Sequence, residues 1–370
     1  LFEFKNKAIL ILSPEDWGKT LLSKHLYAKE LSKNNKIFFL HTSPHPSQKK
    51  FIETCTIEGN IEIIHLKKVV KGIFKLPPIL IDLQNRIIIK KIQKIIQQQI
   101  DVVWSFDQSK FQNLRQFNAQ ISIFHPVDYI IKANPFVSRI ANSADLVFSV
   151  SQAILDIIKT KTPKYFINHG LDEVFLKENK DLITKKKIVD SKINVGYVGN
   201  LNMKFIDYEN LIKTVEENTH LNFIFIGPEN TSNIGTSEVR LPLIQLKELS
   251  NTQFIGAKSK EELITLLPFF DIFLLCYNNK KYPIEVSNSH KILEYLSTGK
   301  VIVSNSIKTY DNNPILEIVS NNASISARLN KVSSMLDFFN STTKMNERIT
   351  FAKENTYKKQ LERIEKIINT

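Results

Sequence analysis

The sequence predicts an α/β protein with two parallel, doubly wound sheets. Three observations carry this. Short apolar runs alternate with helical stretches along most of the 370 residues. Polar residues and glycines gather where the apolar runs end. A lysine-rich polar stretch, 177–192, separates two such series, giving domains at 1–180 and 181–345.

Ala8–Leu12 is an apolar run closed by Ser13-Pro14 and reads as a buried strand. A helix over Leu21–Ser32 follows, then strands at Lys36–Leu40, Ile61–His65, Val102–Phe106, Ile121–Phe124, Leu146–Ser149 and Tyr165–Ile167. In such a sheet, ligands sit at the carboxyl ends of the strands. Ser23 and His25 follow the first strand and are candidates for contact with an acceptor. His125 and Asp128, in His125-Pro126-Val127-Asp128-Tyr129, are candidates for acceptor recognition or proton transfer, since an imidazole titrates near neutral pH. Each of these residues also has a plainer reading as a turn or capping residue.

In the second series, Asn194–Val198 reads as a strand ending at Gly199, where a ligand could approach the backbone. Strands at Asn222–Ile226, Thr252–Ile255 and Ile272–Leu275 follow. Ser287–Ser304, SNSHKILEYLSTGKVIVS, reads as a polar loop, a helix of about three turns capped by Ser287 or Asn288, a Gly299 stop and a buried strand. Lys291 and Glu294 lie three apart, so they share one side of that helix. They read either as a surface ion pair or as ligands for phosphates and for ribose hydroxyls. A last helix is expected over Asn346–Ile367, crossing back to the first domain.

The segment Asn288-x-x-Lys291-x-x-Glu294-Tyr295-Leu296-x-x-Gly299-Lys300-x-x-Val303 resembles the N-P-L-K-x-x-E-Y-L-A-x-G-K-P-V-V donor segment of family 4 glycosyltransferases. The teichuronic-acid and capsule branch of that family is the most similar. Asn168-His169-Gly170-Leu171-Asp172 resembles the family's N-G-V-D turn, and Glu354-Asn355-Thr356-Tyr357 its E-N-S-W. The resemblance implies the GT-B fold, two Rossmann-like domains facing a cleft. It implies a retaining transfer of a sugar from a UDP- or GDP-sugar to a carbohydrate or lipid-linked acceptor. Gly199, Asn200, Lys204, Asn288, Lys291 and Glu294 would then hold the donor, with Gly256 and Lys258 bordering the base.

The donor segment has Ser289 and Val301 where the family usually has Pro, and the sequence departs from the family in two further places that bear on the site. Where the family has an Arg after the strand-end Gly, this chain has Asn200, with Lys204 near the family's Lys. The family's acidic E-x7-E pair would need an acid at Val286, so Glu285, one residue off, is not given that role. No D-x-D metal motif occurs, so no metal and no cofactor are expected. A GT-B sugar-nucleotide epimerase and a non-catalytic basic nucleic-acid- or sugar-binding protein are the alternatives.

Fifty Lys and Arg against 37 Asp and Glu give a net charge of +13. That balance points to an anionic partner. Nucleic acid is not the expected one, because no helix-turn-helix, RNP or zinc signature is present. The segment 66–100 interleaves basic and apolar residues, including Lys90, Lys91 and Lys94, and reads as a surface for an anionic membrane or as an ordinary scaffold helix. No run of transmembrane length or signal-peptide pattern is legible, so the expected location is cytoplasmic, peripheral at the inner membrane face.

Overall fold

In the computed structural model, the residues described are all except 19–20, 43–49, 58, 68–75, 131–133, 177–191, 230, 233–234 and 237–240. The expected linker lies almost wholly outside them. The chain forms two compact units, Leu1–Asn168 with Tyr357–Thr370, and His169–Thr356.

The first unit holds strands β1 (Ala8–Ser13), β2 (Lys36–His41), β3 (Ile52–Thr56), β4 (Ile61–Leu66), β5 (Val102–Ser105), β6 (Ile121–Phe124), β7 (Leu146–Ser149) and β8 (Lys164–Phe166). They line up as β3-β4-β2-β1-β5-β6-β7-β8. All pairs are parallel except β3 with β4. The periodicity does not reveal β3, because it is a polar, largely exposed edge strand with no apolar run. Its helices are α1 (Ser23–Ser32), α2 (Pro78–Ile96), α3 (Asn134–Ser143) and α4 (Gln152–Ile157). Helix α2 starts directly after Pro77. Pro78 takes its first position, where a missing N–H costs nothing. Ile9, Ile11, Tyr27, Phe39, Trp104, Ile123 and Phe148 form the core.

The second unit holds β9 (Asn194–Val198), β10 (Asn222–Ile226), a short antiparallel pair β11 (Thr231–Ser232) and β12 (Gly235–Thr236), then β13 (Thr252–Phe254), β14 (Ile272–Leu275), β15 (Val301–Asn305) and β16 (Glu317–Val319). The main sheet runs β13-β10-β9-β14-β15-β16, all parallel. Its helices are α5 (Tyr208–Glu217), α6 (Leu241–Lys247), α7 (Lys260–Leu266), α8 (Lys291–Leu296), α9 (Ile325–Ser334), α10 (Leu336–Phe339) and α11 (Thr342–Lys353). The last helix, α12 (Tyr357–Ile368), belongs to the first unit, where Tyr357, Leu361 and Ile364 join the core.

Two expectations for helices are corrected. The single final helix is in fact two, broken at Glu354–Thr356. There the Asn355 carbonyl accepts from the Leu171 N–H at 2.7 Å, and Thr356 pairs with Leu171 as an isolated bridge, so neither continues a helix. Helix α8 has six residues rather than about three turns, and His290 is its N-cap, with no side-chain cap. The Ser287 hydroxyl is spent on the Ile284 carbonyl (2.5 Å), and Asn288 Oδ1 accepts from the Ser289 N–H (2.8 Å), which holds the preceding loop in its own turns. Among the described residues, no helix is long and apolar enough to cross a membrane.

Candidate functional site

The strand order of the second unit reverses between β9 and β14. From β9 the chain steps outward through β10 to β13, then returns to β14 and goes the other way. At such a switch point the loops leaving two adjacent parallel strands diverge and leave a crevice at their carboxyl ends. The residues there are Gly199, after β9, and Tyr277, after β14.

Lys291, the first residue of α8, is placed against that point. It is 6% exposed. Its ammonium donates to the Tyr197 hydroxyl at 3.0 Å and to the Tyr277 hydroxyl at 3.3 Å, and lies 4.6 Å from the centroid of the Tyr197 ring. Among the described residues no carboxylate pairs with it. Burial pushes the Tyr197 hydroxyl up to about 12 despite the nearby ammonium, so Tyr197 is neutral at physiological pH and gives Lys291 a hydrogen-bond acceptor but no countercharge.

Gly199 has φ +145°, and a Cβ there would collide with the Lys291 Nζ and Cε. Only glycine lets the ammonium lie on this backbone. Gly227, at the end of β10, is packed as tightly, since a Cβ on it would run into the Gly199 carbonyl. Hydrogen bonds chain three strand ends together, Gly199 N–H to Ile226 and Gly227 N–H to Gly256. Tyr295, on the buried side of α8, stacks on Phe273 at 4.0 Å, accepts from the Val198 N–H at 2.7 Å and donates to the Val198 carbonyl at 3.2 Å. Helix α8 is thereby fixed to the end of β9 as well as to the core beneath it, through Ile292, Leu293 and Leu296.

Glu294 follows one turn after Lys291 and is half-buried. The surface ion pair between the two is not formed, because Lys291 turns inward onto the tyrosines. Burial raises the Glu294 carboxyl to about 7; Lys260 and Lys291 oppose the rise and Asp172 adds to it. Asp172 itself is bound to Lys260 at 2.7 Å and accepts from the Val174 N–H. The second unit therefore brings together Gly199, Lys291 and Glu294, with Asp172 and Lys260 in electrostatic reach.

Lys204 stands apart. It is exposed, and its ammonium sits over the rings of Phe205 and Tyr282 at 5.1 and 5.4 Å. The two lysines thus occupy separate aromatic pairs. Asn200 folds back on its own loop, accepting from the Asn202 N–H at 2.9 Å. Asn288 is half-buried in the loop before α8.

The first unit treats its candidates differently. His25 is fully buried, and both ring nitrogens are engaged by backbone: Nδ1 accepts from the Leu22 N–H, and Nε2 meets the Asp16 carbonyl, each at 2.9 Å. Direct acceptor contact through His25 does not fit this geometry; it shapes the loop after β1. Ser23, at the start of α1, is half-buried.

His125 is also fully buried. It packs against Trp104 and Phe106, which also touch each other, with Tyr27 and Phe148 beside it, and its ring nitrogens have no partner among the described residues. Burial drives its pKa down to about 3. It is a neutral core imidazole at neutral pH, which corrects the expectation of a proton-transferring group on an open edge. Asp128 is the exposed member of that pair. The sequence reading missed Tyr197, Tyr277 and Tyr295, whose spacing matches ordinary strand and helix core positions. It also missed the pairing of Asp172 with Lys260, 88 residues apart. Among the described residues, no cluster of three or more His, Cys, Asp or Glu is placed to hold a metal ion.

Two Rossmann-like units, each a parallel sheet flanked by helices, define the GT-B fold class. The comparison with solved structures agrees. The chain is similar to a sucrose-phosphate synthase from Thermosynechococcus elongatus over 98% of both chains, at 10% identity and a TM-score of 0.71. A glycosyltransferase from Rickettsia africae aligns over 98% of this chain and 97% of its own, at 13% identity and 0.68. Anabaena HepE in complex with UDP and glucose aligns over 99% and 100%, at 12% identity and 0.66. No protein-family model matches the sequence, and neither does any curated protein sequence.

Proposed function

We propose that this chain is a glycosyltransferase that takes its sugar from a UDP- or GDP-sugar. The observation that carries the reading is the buried Lys291 ammonium, which has no carboxylate ion-pair partner among the described residues and is held at the switch point of the second unit against Gly199. Burying a charge is expensive unless something pairs with it. A diphosphate at the strand ends would supply the missing anion and, as it leaves with extra charge, would be stabilised there more than in the bound donor. Glu294, one turn on, would accept from ribose hydroxyls when ionised. Similarity in fold to nucleotide-sugar enzymes, one of them crystallised with UDP-glucose, supports the same reading.

The finer terms of the proposal rest on the resemblance of the donor segment. The anomeric configuration is retained, and Lys291 answers the diphosphate charge in place of a divalent ion. The acceptor is a carbohydrate, free or lipid-linked, in the synthesis of a surface polysaccharide, with the enzyme working in the cytoplasm at the inner membrane face. Asp128 and Ser23 remain the candidates for acceptor contact. Gly256 and Lys258 border the base.

The test is calorimetry with UDP and with GDP on the wild type and on Glu294→Ala. A hydrogen bond to a charged group is worth about 1.5–3 kcal/mol, so the variant should bind at least about tenfold more weakly with its circular dichroism unchanged. Unchanged affinity for the nucleotide that binds the wild type removes Glu294 from the site. No binding of either nucleotide to the wild type removes the donor reading.

A further inference from the structure

Helix α2 is apolar on two opposite sides. Ile81, Ile88, Ile89, Ile92 and Ile96 are buried in the first unit. On the other side Ile79 is 75%, Leu83 58%, Ile87 55% and Leu80 47% exposed, and Leu76, just before the helix, is 40% exposed. A helical period of 3.6 puts residues 79, 80, 83 and 87 on one face, together with Arg86, Lys90, Lys91 and Lys94. All four basic residues are exposed. The outward face is therefore divided along its length, with aliphatic side chains over the N-terminal turns and cations over the C-terminal turns. Asp82, the one acid on the helix, is held by Arg139 at 2.6 Å, so it does not offset those cations.

A run of exposed aliphatics of this kind marks a contact surface rather than ordinary scatter. Its neighbouring charge selects the occupant. A second copy of this chain, with a net charge of +13, would bring a like charge to the basic half. An anionic bilayer satisfies both halves at once, the aliphatics entering among the acyl chains and the cations resting on lipid phosphates.

We propose that α2 docks the first unit on an anionic lipid surface, with Ile79, Leu80, Leu83 and Ile87 inserted and Arg86, Lys90, Lys91 and Lys94 against the headgroups. The proposal deepens the surface-polysaccharide reading, on which its biological sense rests, by naming the face that meets the membrane. Its physical content is separate, since lipid binding needs neither donor nor acceptor.

The test is sedimentation with vesicles of phosphatidylcholine and phosphatidylglycerol, two parts to one, and with vesicles of phosphatidylcholine alone. The full chain should bind the mixed vesicles, at least about tenfold better than the neutral ones, and release as salt is raised. The variant Ile79→Ser/Leu83→Ser/Ile87→Ser should bind the mixed vesicles at least about tenfold more weakly. The variant Arg86→Gln/Lys90→Gln/Lys91→Gln/Lys94→Gln should lose the preference for anionic lipid. Every changed side chain is exposed, so both variants should keep the wild-type circular dichroism and UDP affinity. Failure of the wild type to bind the mixed vesicles overturns the proposal. So does equal binding by the serine variant, or a wild-type dimer in sedimentation velocity that the serine variant abolishes without any change in lipid binding. Loss of UDP binding by the wild type would count against the transfer reading alone.

Discussion

The burial of His125 makes the stability of the first unit depend on pH in a way that can be calculated. The folded-state pKa is about 3, against 6.5 for the free side chain. The unfolded chain therefore takes up a proton that the folded chain refuses. The stability this imidazole contributes is complete above about pH 6.5 and is lost progressively as pH falls from there toward 3. Between pH 7.5 and pH 5 the loss is about 2 kcal/mol. His41 behaves alike: burial, reinforced by the neighbouring His65 ring 4.5 Å away, takes it down to about 4. It adds about 2 kcal/mol over the same interval, for a combined loss of about 4 kcal/mol.

The assay is built into the sequence. The chain has two tryptophans, Trp17 and Trp104, and both lie in the first unit, so tryptophan fluorescence during urea unfolding follows that unit alone. With a slope of about 2 kcal/mol per molar urea, the wild-type midpoint should fall by about 2 M on going from pH 7.5 to pH 5. His125→Phe places a ring of similar size in the same aromatic stack and removes the titrating group. Its midpoint should be close to that of the wild type at pH 7.5 and should fall only about half as far at pH 5. If wild type and variant fall by the same amount, the His125 ring is not a sequestered neutral group. Its assignment to the core would then be wrong, and a role in proton transfer would be open again.

Three further outcomes follow from the second unit. With Glu294 near 7, its ionised fraction rises steeply between pH 6 and 8; UDP affinity should rise by up to about tenfold over that range, and Glu294→Gln should flatten the profile. Gly199→Ala puts a methyl group into Lys291 on a backbone angle that disfavours side chains; it should lower UDP affinity at least about tenfold and the stability of this unit by about 1–3 kcal/mol, read by calorimetry and thermal unfolding. Tyr295→Phe leaves the Val198 N–H without its side-chain acceptor and should cost about 1–3 kcal/mol in the same melt, which an unchanged midpoint would refute.

The alternation of apolar runs with helical stretches was enough to predict two parallel sheets, because strands buried on both faces need uninterrupted apolar residues. Ile121–Phe124, Asn222–Ile226 and Ile272–Leu275 occur within the predicted bounds for that reason. Helix ends were harder to predict. They depend on which partner a polar group finds, and Asn288 and Asn355 found partners in their own turns or in distant backbone.

The site divides along the same line. Sequence alone put Gly199, Lys291 and Glu294 on a strand end and a following helix, since their types and spacing are local facts. Only the tertiary structure decided that Lys291 would leave Glu294 and turn onto Tyr197 and Tyr277, residues 94 and 14 positions away, at the point where the strand order reverses. It also decided that His125 would be enclosed by rings from α1, β5 and β7 and their adjoining loops rather than face solvent. The state of a charge or an imidazole is set by what surrounds it in space, and that neighbourhood is assembled from segments with no local trace of one another.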